Sequence, residues 1–227
     1  MTTDAVPLDR RQRRRQETIE EVLDIAVEIM TEQGVAGLSL GEVARRMGIR
    51  PPSLYVYFPS KDALYDAVFE RGARAILEEV RKKTSEVADA DLPVEAILRR
   101  AAEVFIRWSL EHPAYTQLLF WRPVPGFAPS EQAYAPAVEL VQLSHQRFSS
   151  LQQRGLLRAD VPVEQLQRDW TIWISGIVSQ QLSNAPDEPF DSGRFTSAIP
   201  AYVAMFTALY AAVPSTPSRG SRRARRR

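Results

Sequence analysis

The chain has 227 residues, 44% of them hydrophobic, and 29 basic against 28 acidic side chains for a net charge of +1. That length suits one large domain or two modest ones with a real core. The absence of cysteine removes disulfides, thiolate catalysis and thiolate-ligated zinc together.

The start, MTTDAVPLDRRQRRRQ, has no apolar stretch after its charges and so does not read as a secretory signal. No apolar run approaches the length of a membrane span. The expectation is a soluble, cytoplasmic protein with no membrane partner. Its near-neutral charge conceals a segregation. Five arginines lie in residues 10–15 and six in 219–227, which leaves 18 basic against 26 acidic residues between them. Charge blocks of this kind are usually disordered and often touch polyanions. Residues 1–15 are therefore expected as a basic disordered arm and 214–227 as a basic disordered tail.

Helical periodicity runs through everything between. Ile19, Leu23, Ala26 and Met30 form one apolar stripe, ended by Gly34. Leu40, Val43, Ala44 and Met47 form a second, with Ser39 before it as N-cap, Glu42 completing a capping box and Gly48 closing it. A short helix starting at Pro52 follows, with Pro52 in its first turn, where the missing N–H costs nothing. Ser60 starts a long helix to about 87, with Asp62 in its first turn. Residues 88–93, ADADLP, read as a junction. Beyond it Ile97, Ala101, Phe105, Trp108 and His112 share a face that stops near Pro113. An aromatic segment with Leu119 follows, then the breaker PVPGFAPS. Val138, Val141, His145 and Phe148 continue the pattern to Gly155. Leu166, Trp170, Trp173, Ile177 and Gln181 form the next stripe, and Phe195, Ile199, Tyr202, Phe206, Leu209 and Val213 the last. Strand alternation and internal repeats are absent, so the fold class is all-α.

Helix 40–47, the Gly48 turn and the short helix after it make a helix-turn-helix, a motif whose second helix enters the DNA major groove. Leu54 and Phe58, four apart, are expected to face the core. That turns Ser53, Val56 and Tyr57 outward and leaves Tyr55 at the edge. Tyrosine hydroxyls donate to phosphate oxygens and their rings touch thymine methyls. Lys61 adds positive charge beside the free N–H groups of the next helix. The other reading of Tyr55 and Tyr57 is a pair of half-buried aromatics.

The stretch LSLGEVARRMGIRPPSLYVYFPSKDALYDAVF, residues 38–69, closely resembles the DNA-binding region of the TetR family of bacterial transcriptional regulators. The matching points are Ser39, then Val43, Ala44, Gly48 and Ile49, then LY-x-YF-x-SK-x-AL from Leu54 to Leu64. The resemblance implies three DNA-binding helices in residues 16–62 and a ligand-binding and dimerisation bundle in 63–213. It implies a homodimer on a palindromic operator in duplex DNA, reading as a repressor released by a small-molecule effector. Ser39, Tyr55, Tyr57 and Lys61 match positions that touch phosphates; Pro51, Pro52 and Ser53 match positions facing bases. Pro51 and Val56 depart from the family by lacking side-chain hydrogen-bonding groups. Base reading then falls to Arg50, Ser53, Tyr55, apolar contact and DNA shape; Arg50 suits a guanine edge or a phosphate equally. Arg13, Arg14 and Arg15 precede the first helix, where an arm can enter a minor groove.

In the second part, Phe105, Trp108, His112, Leu119, His145, Phe148, Trp170 and Trp173 lie on inward faces. As plain periodicity they are core, and by resemblance they surround a small-molecule cavity. The last two long helices, about 163–184 and 193–212, match the family's dimerising pair, with Gly176, Ala201, Ala204 and Ala208 permitting close approach and Phe206 and Tyr210 adding area. Two histidines, no phosphate-cradling glycine loop and no paired carboxylates on one face argue against an enzyme, a cofactor or a metal. The alternative is a helical small-molecule-binding or adaptor protein without operator binding.

Overall fold

A computed structural model describes residues 9–85 and 92–212. Among the described residues nine α-helices follow one another. They are α1 (Arg10–Gln33), α2 (Leu40–Arg46), α3 (Pro51–Leu54), α4 (Lys61–Ser85), α5 (Val94–Glu111), α6 (Pro113–Phe120), α7 (Glu131–Gln153), α8 (Val163–Asn184) and α9 (Ile199–Tyr210). The one β-type pairing there is an isolated antiparallel bridge between Leu157 and Ala211. The all-α expectation holds.

Two boundaries depart from the sequence pattern. Residues 10–15 are not an unstructured arm: α1 begins at Arg10, with Gln12 Oε1 accepting from the Asp9 N–H at 3.2 Å. The final helix is shorter than 193–212, because residues 196–198 form a separate 3-10 turn before α9. Residues 1–8 of the expected arm, 86–87 of the expected long helix, the expected junction 88–91, Val213 and the expected tail 214–227 lie outside the described residues.

Apolar stripes pack into two cores. The first joins α1, α2, α3 and much of α4 to Trp108, Ala114, Tyr115, Leu118 and Ala133. The second joins α5, the end of α7, α8 and α9. The change of core therefore does not fall at residue 62, because α4 beyond that point still belongs to the first. Hydrogen bonds tie α4 to its neighbours, among them those of Asp66 and Arg71. Asp66 accepts from Ser130, N–H at 2.7 Å and hydroxyl at 2.6 Å, at the cap of α7. Arg71 donates from Nη1 to Asp24 of α1 at 2.7 Å and from Nε to the Tyr115 hydroxyl of α6 at 2.6 Å.

Gly72 is what lets α6 come so near. A Cβ there would stand 2.4 Å from Tyr115 Cδ1, and that ring is buried and tied to Arg71. Alanine gains about 1 kcal/mol of helix propensity over glycine, against about 1–3 kcal/mol for forcing an extra methyl into a packed site. Gly72→Ala is expected to lower the melting temperature by a few degrees, as a loss of about 1 kcal/mol does in a domain of this size, measured by circular dichroism.

Candidate nucleic-acid interface and apolar cavity

The turn between α2 and α3 is built by local rules. Ser39 Oγ accepts from the Glu42 N–H at 3.1 Å. The capping box is only half made, because the Glu42 carboxylate turns instead to Arg45 Nε at 2.7 Å and Arg46 Nε at 2.9 Å. Hydrogen bonds from those two guanidinium groups pull its pKa down to about 2. Arg46 also reaches Glu32 at 2.5 Å and so ties α2 to α1. At the far end Gly48 takes φ +68° and closes a Schellman motif, with its N–H bonded to Arg45 O and that of Ile49 to Ala44 O. Any side chain at 48 would meet αL strain.

After this turn α3 starts at Pro51, one residue earlier than Pro52, with Arg50 as its N-cap. Its regular part is four residues, extended by N–H bonds from Tyr57 and Phe58 to Leu54 O. Leu54 and Phe58 are buried, as their spacing requires. Arg50, Pro51, Pro52 and Ser53 are exposed. The two tyrosines exchange their expected places: Tyr55 is 51% exposed, whereas Tyr57 is half-buried against the first core with Arg15 5.2 Å above its ring. Val56 stands furthest out, at 70%. A continuous helix through 57 would have turned Tyr57 outward, and the loosening after Leu54 rotates it back.

Ser60 caps α4 by accepting from the Ala63 N–H at 3.0 Å. Lys61 is exposed, yet its ammonium already donates to Ala36 O at 3.2 Å and lies 5.3 Å above the Tyr65 ring. Two of its three protons stay available for a phosphate. Arg13, Arg14 and Arg15 sit on the first two turns of α1 and are exposed.

In the second half a cavity of about 280 Å³ opens between α4, α5, α6, α7 and α8. Phe105, Leu119, Phe148 and Trp170 line it, as their stripes suggest. Trp108, His112, His145 and Trp173 do not. Trp108 stacks on His112 with centroids 4.6 Å apart in the first core, and Trp173 packs edge-on to Phe206 at 5.3 Å. The rest of the wall comes from residues the sequence reading did not select, notably Phe69, Ala73, Ile76 and Val80 of α4 and Leu140 and Val141 of α7. Among these, Val141 stood in a stripe named from the sequence, and it is largely exposed; which faces leave a void depends on how helices distant in sequence meet. Arg147 is the charged residue among those lining the wall, and Arg107 of α5 pairs with Asp191 at 3.1 Å.

Phe206 and Tyr210 are buried within the chain, so they are not interface residues. Phe206 has no exposed surface and lies among Phe148, Trp170, Trp173 and Tyr210. Gly176, Ala201, Ala204 and Ala208 are exposed, and alongside them Ile172, Tyr202, Met205 and Leu209 leave an apolar face on α8 and α9 uncovered. Met205 and Leu209 expose 58% and 54% of their surfaces.

Comparison with known proteins agrees with this geometry. Residues 22–68 match the family model for bacterial regulatory proteins of the tetR family, and residues 98–206 match the tetracyclin repressor-like C-terminal domain. The uncharacterized HTH-type transcriptional regulator YobS of Bacillus subtilis is 26% identical over 94 residues, covering 41% of this chain and 47% of YobS. The HTH-type transcriptional regulator Mb1846 of Mycobacterium bovis is 27% identical over 129 residues, 56% of this chain and 54% of that one. The match thus spans about half the length of each of these curated relatives. A Rhodococcus sp. RHA1 protein of unknown function shares the fold with a TM-score of 0.71 at 19% identity, over 85% of this chain and 95% of its own.

Proposed function

Because the chain belongs to the TetR family of bacterial regulatory proteins, we propose that it is a DNA-binding transcriptional repressor that grips a palindromic operator as a homodimer and releases it when an apolar small molecule enters the cavity. The observation that carries the reading is the α2–Schellman turn–α3 unit, whose second helix buries Leu54 and Phe58 and offers Arg50, Pro51, Pro52, Ser53, Tyr55 and Val56 to solvent. Ser39, Tyr55 and Lys61 supply phosphate contacts. Tyr57 acts chiefly as a packing residue whose hydroxyl is available at the edge. With prolines at the first two positions of α3 and valine at its outermost point, sequence discrimination rests on Arg50, Ser53, apolar contact with thymine methyls and duplex shape.

Effector control follows from α4. Its first turn carries Lys61, its middle is tied to α1 and α6, and Ala73, Ile76 and Val80 line the cavity. A ligand that prefers one placement of α4 shifts the separation of the two reading helices, and only a separation near one DNA turn, about 34–36 Å, fits successive major grooves. The shift can be no larger than the ligand's difference in affinity between the two arrangements. The wall is mostly aliphatic and aromatic, which suits an apolar ligand.

Selection from a random duplex pool is expected to return a palindrome with half-sites about one helical turn, or a multiple of it, apart. On that operator Lys61→Ala should weaken all sequences alike and flatten the salt slope by about one unit, measured by fluorescence anisotropy from 50 to 300 mM salt on the order used for such slopes. Wild-type affinity throughout would remove Lys61 from the interface.

The dimer is expected to form through the exposed faces of α8 and α9. Leu209→Asp should give a monomer of unchanged helicity by ultracentrifugation, since burying an unpaired charge costs several kcal/mol. Phe206→Ala, by contrast, should cost about 3–5 kcal/mol of stability.

Trp170 lines the cavity while Trp108 and Trp173 do not. An apolar effector should therefore quench fluorescence in the wild type and much less in Trp170→Phe, in parallel with DNA release. Quenching that never accompanies release would make the cavity a passive void.

A further inference from the structure

Residues Arg10 to Gln16 form the first two turns of α1, and every one of them is exposed; burial begins only at Thr18 and Ile19. Five of these seven residues are arginine. The arrangement is electrostatically unfavourable for an isolated protein. The N-terminal end of a helix carries partial positive charge and disfavours cations. The pairs Arg10/Arg14 and Arg11/Arg15 are i,i+4 neighbours of like charge, which repel. The first turn holds no acidic residue, and none of the five guanidinium groups is ion-paired with a carboxylate among the described residues.

Their placement supplies the direction. Arg11, Arg14, Arg15 and Thr18 fall at i, i+3, i+4 and i+7, one face of the helix. That face shares an open cleft of about 720 Å³ with Val56 and Tyr57, at the end of the reading helix. Arg15 lies over the Tyr57 ring, which fixes the cationic turns against the same side of the molecule that carries α3. Seven helical residues span about 10 Å, and one strand of duplex DNA presents a phosphate about every 3.4 Å along the axis.

We propose that the first two turns of α1 are a second phosphate-binding element, with Arg10, Arg11 and Arg14 of the cleft laid along the duplex backbone beside the groove that α3 enters and Arg13 adding charge at its side. The element is a rigid helical extension, not a flexible strand threading a minor groove, and phosphate charge offsets the repulsion that the free protein carries there. The proposal rests on the reading that α3 enters duplex DNA.

The test uses the full chain and its selected operator, comparing wild type with two fourfold variants at Arg10, Arg11, Arg13 and Arg14, one all glutamine and one all lysine. With two or three phosphates contacted, the glutamine variant should flatten the slope of log affinity against log salt by about two units, and lose about tenfold or more in affinity near 0.15 M salt. The lysine variant should keep the wild-type slope, because counterion release counts charge. Both should melt no lower than wild type, since none of the four side chains is buried. A glutamine variant with the wild-type slope overturns the proposal and leaves the α3 reading standing. So does an unchanged slope with lost binding to anionic phospholipid vesicles, which would assign the patch to a membrane surface. A wild-type chain that shifts no duplex at any salt concentration overturns both.

Discussion

The guanidinium of Arg71 lies between three helices, with its Nη1 on Asp24 of α1 and its Nε on the Tyr115 hydroxyl of α6, while its own backbone belongs to α4. Burial pushes the Tyr115 pKa up and the neighbouring Arg71 draws it back, so the phenol stays neutral and its oxygen accepts the bond. Gly72 next door removes the one Cβ that would hold the Tyr115 ring away. These two adjacent residues set how α1, α4 and α6 are spaced. Everything else in the first core is packed around that spacing, from Trp108 on His112 to Tyr65 against Phe127.

The same helix meets the second half by different chemistry. Asp66 holds the N-terminus of α7 through two short hydrogen bonds, and Phe69 stacks on Tyr134 with centroids 5.9 Å apart. Further along, Arg81 of α4 pairs with Glu139 of α7 at 2.6 Å, and both helices contribute to the cavity wall. That wall is mostly apolar, and no buried side-chain polar atom among the described residues lacks a partner. A densely packed interior of this kind resists gradual deformation.

Charge is divided as sharply as packing. Glu42, Glu32 and Asp24 all neutralise arginines within the helix-turn-helix and its support; the Arg46–Glu32 pair ties α2 to α1, and the Arg71–Asp24 pair ties α4 to α1. The arginines before residue 16 have no such partners among the described residues. Arg15 packs over the Tyr57 ring, while the others are exposed beside the helix proposed to enter DNA.

Much of this was legible in the residues themselves. Ser39, Gly48 and the prolines of α3 act within a few bonds of their own backbone, so cap, turn and helix start follow from residue type, and the 3.6-residue stripes follow from the need to bury one face. The string from Leu54 to Leu64 named the family because its residues are constrained by that same local geometry. Other features lay beyond local rules. Whether Tyr55 or Tyr57 turns outward depended on how far α3 stays helical, and whether Phe206 packs inside or awaits a partner depended on Phe148 and Trp170, 58 and 36 positions earlier in the sequence. The cavity walls, the Arg71 bridge and the placement of the arginine turns beside Val56 likewise join segments far apart in the chain. A periodic stripe states that a face is apolar; only the meeting of several such faces decides which is filled, which encloses a void and which stays open to a second molecule.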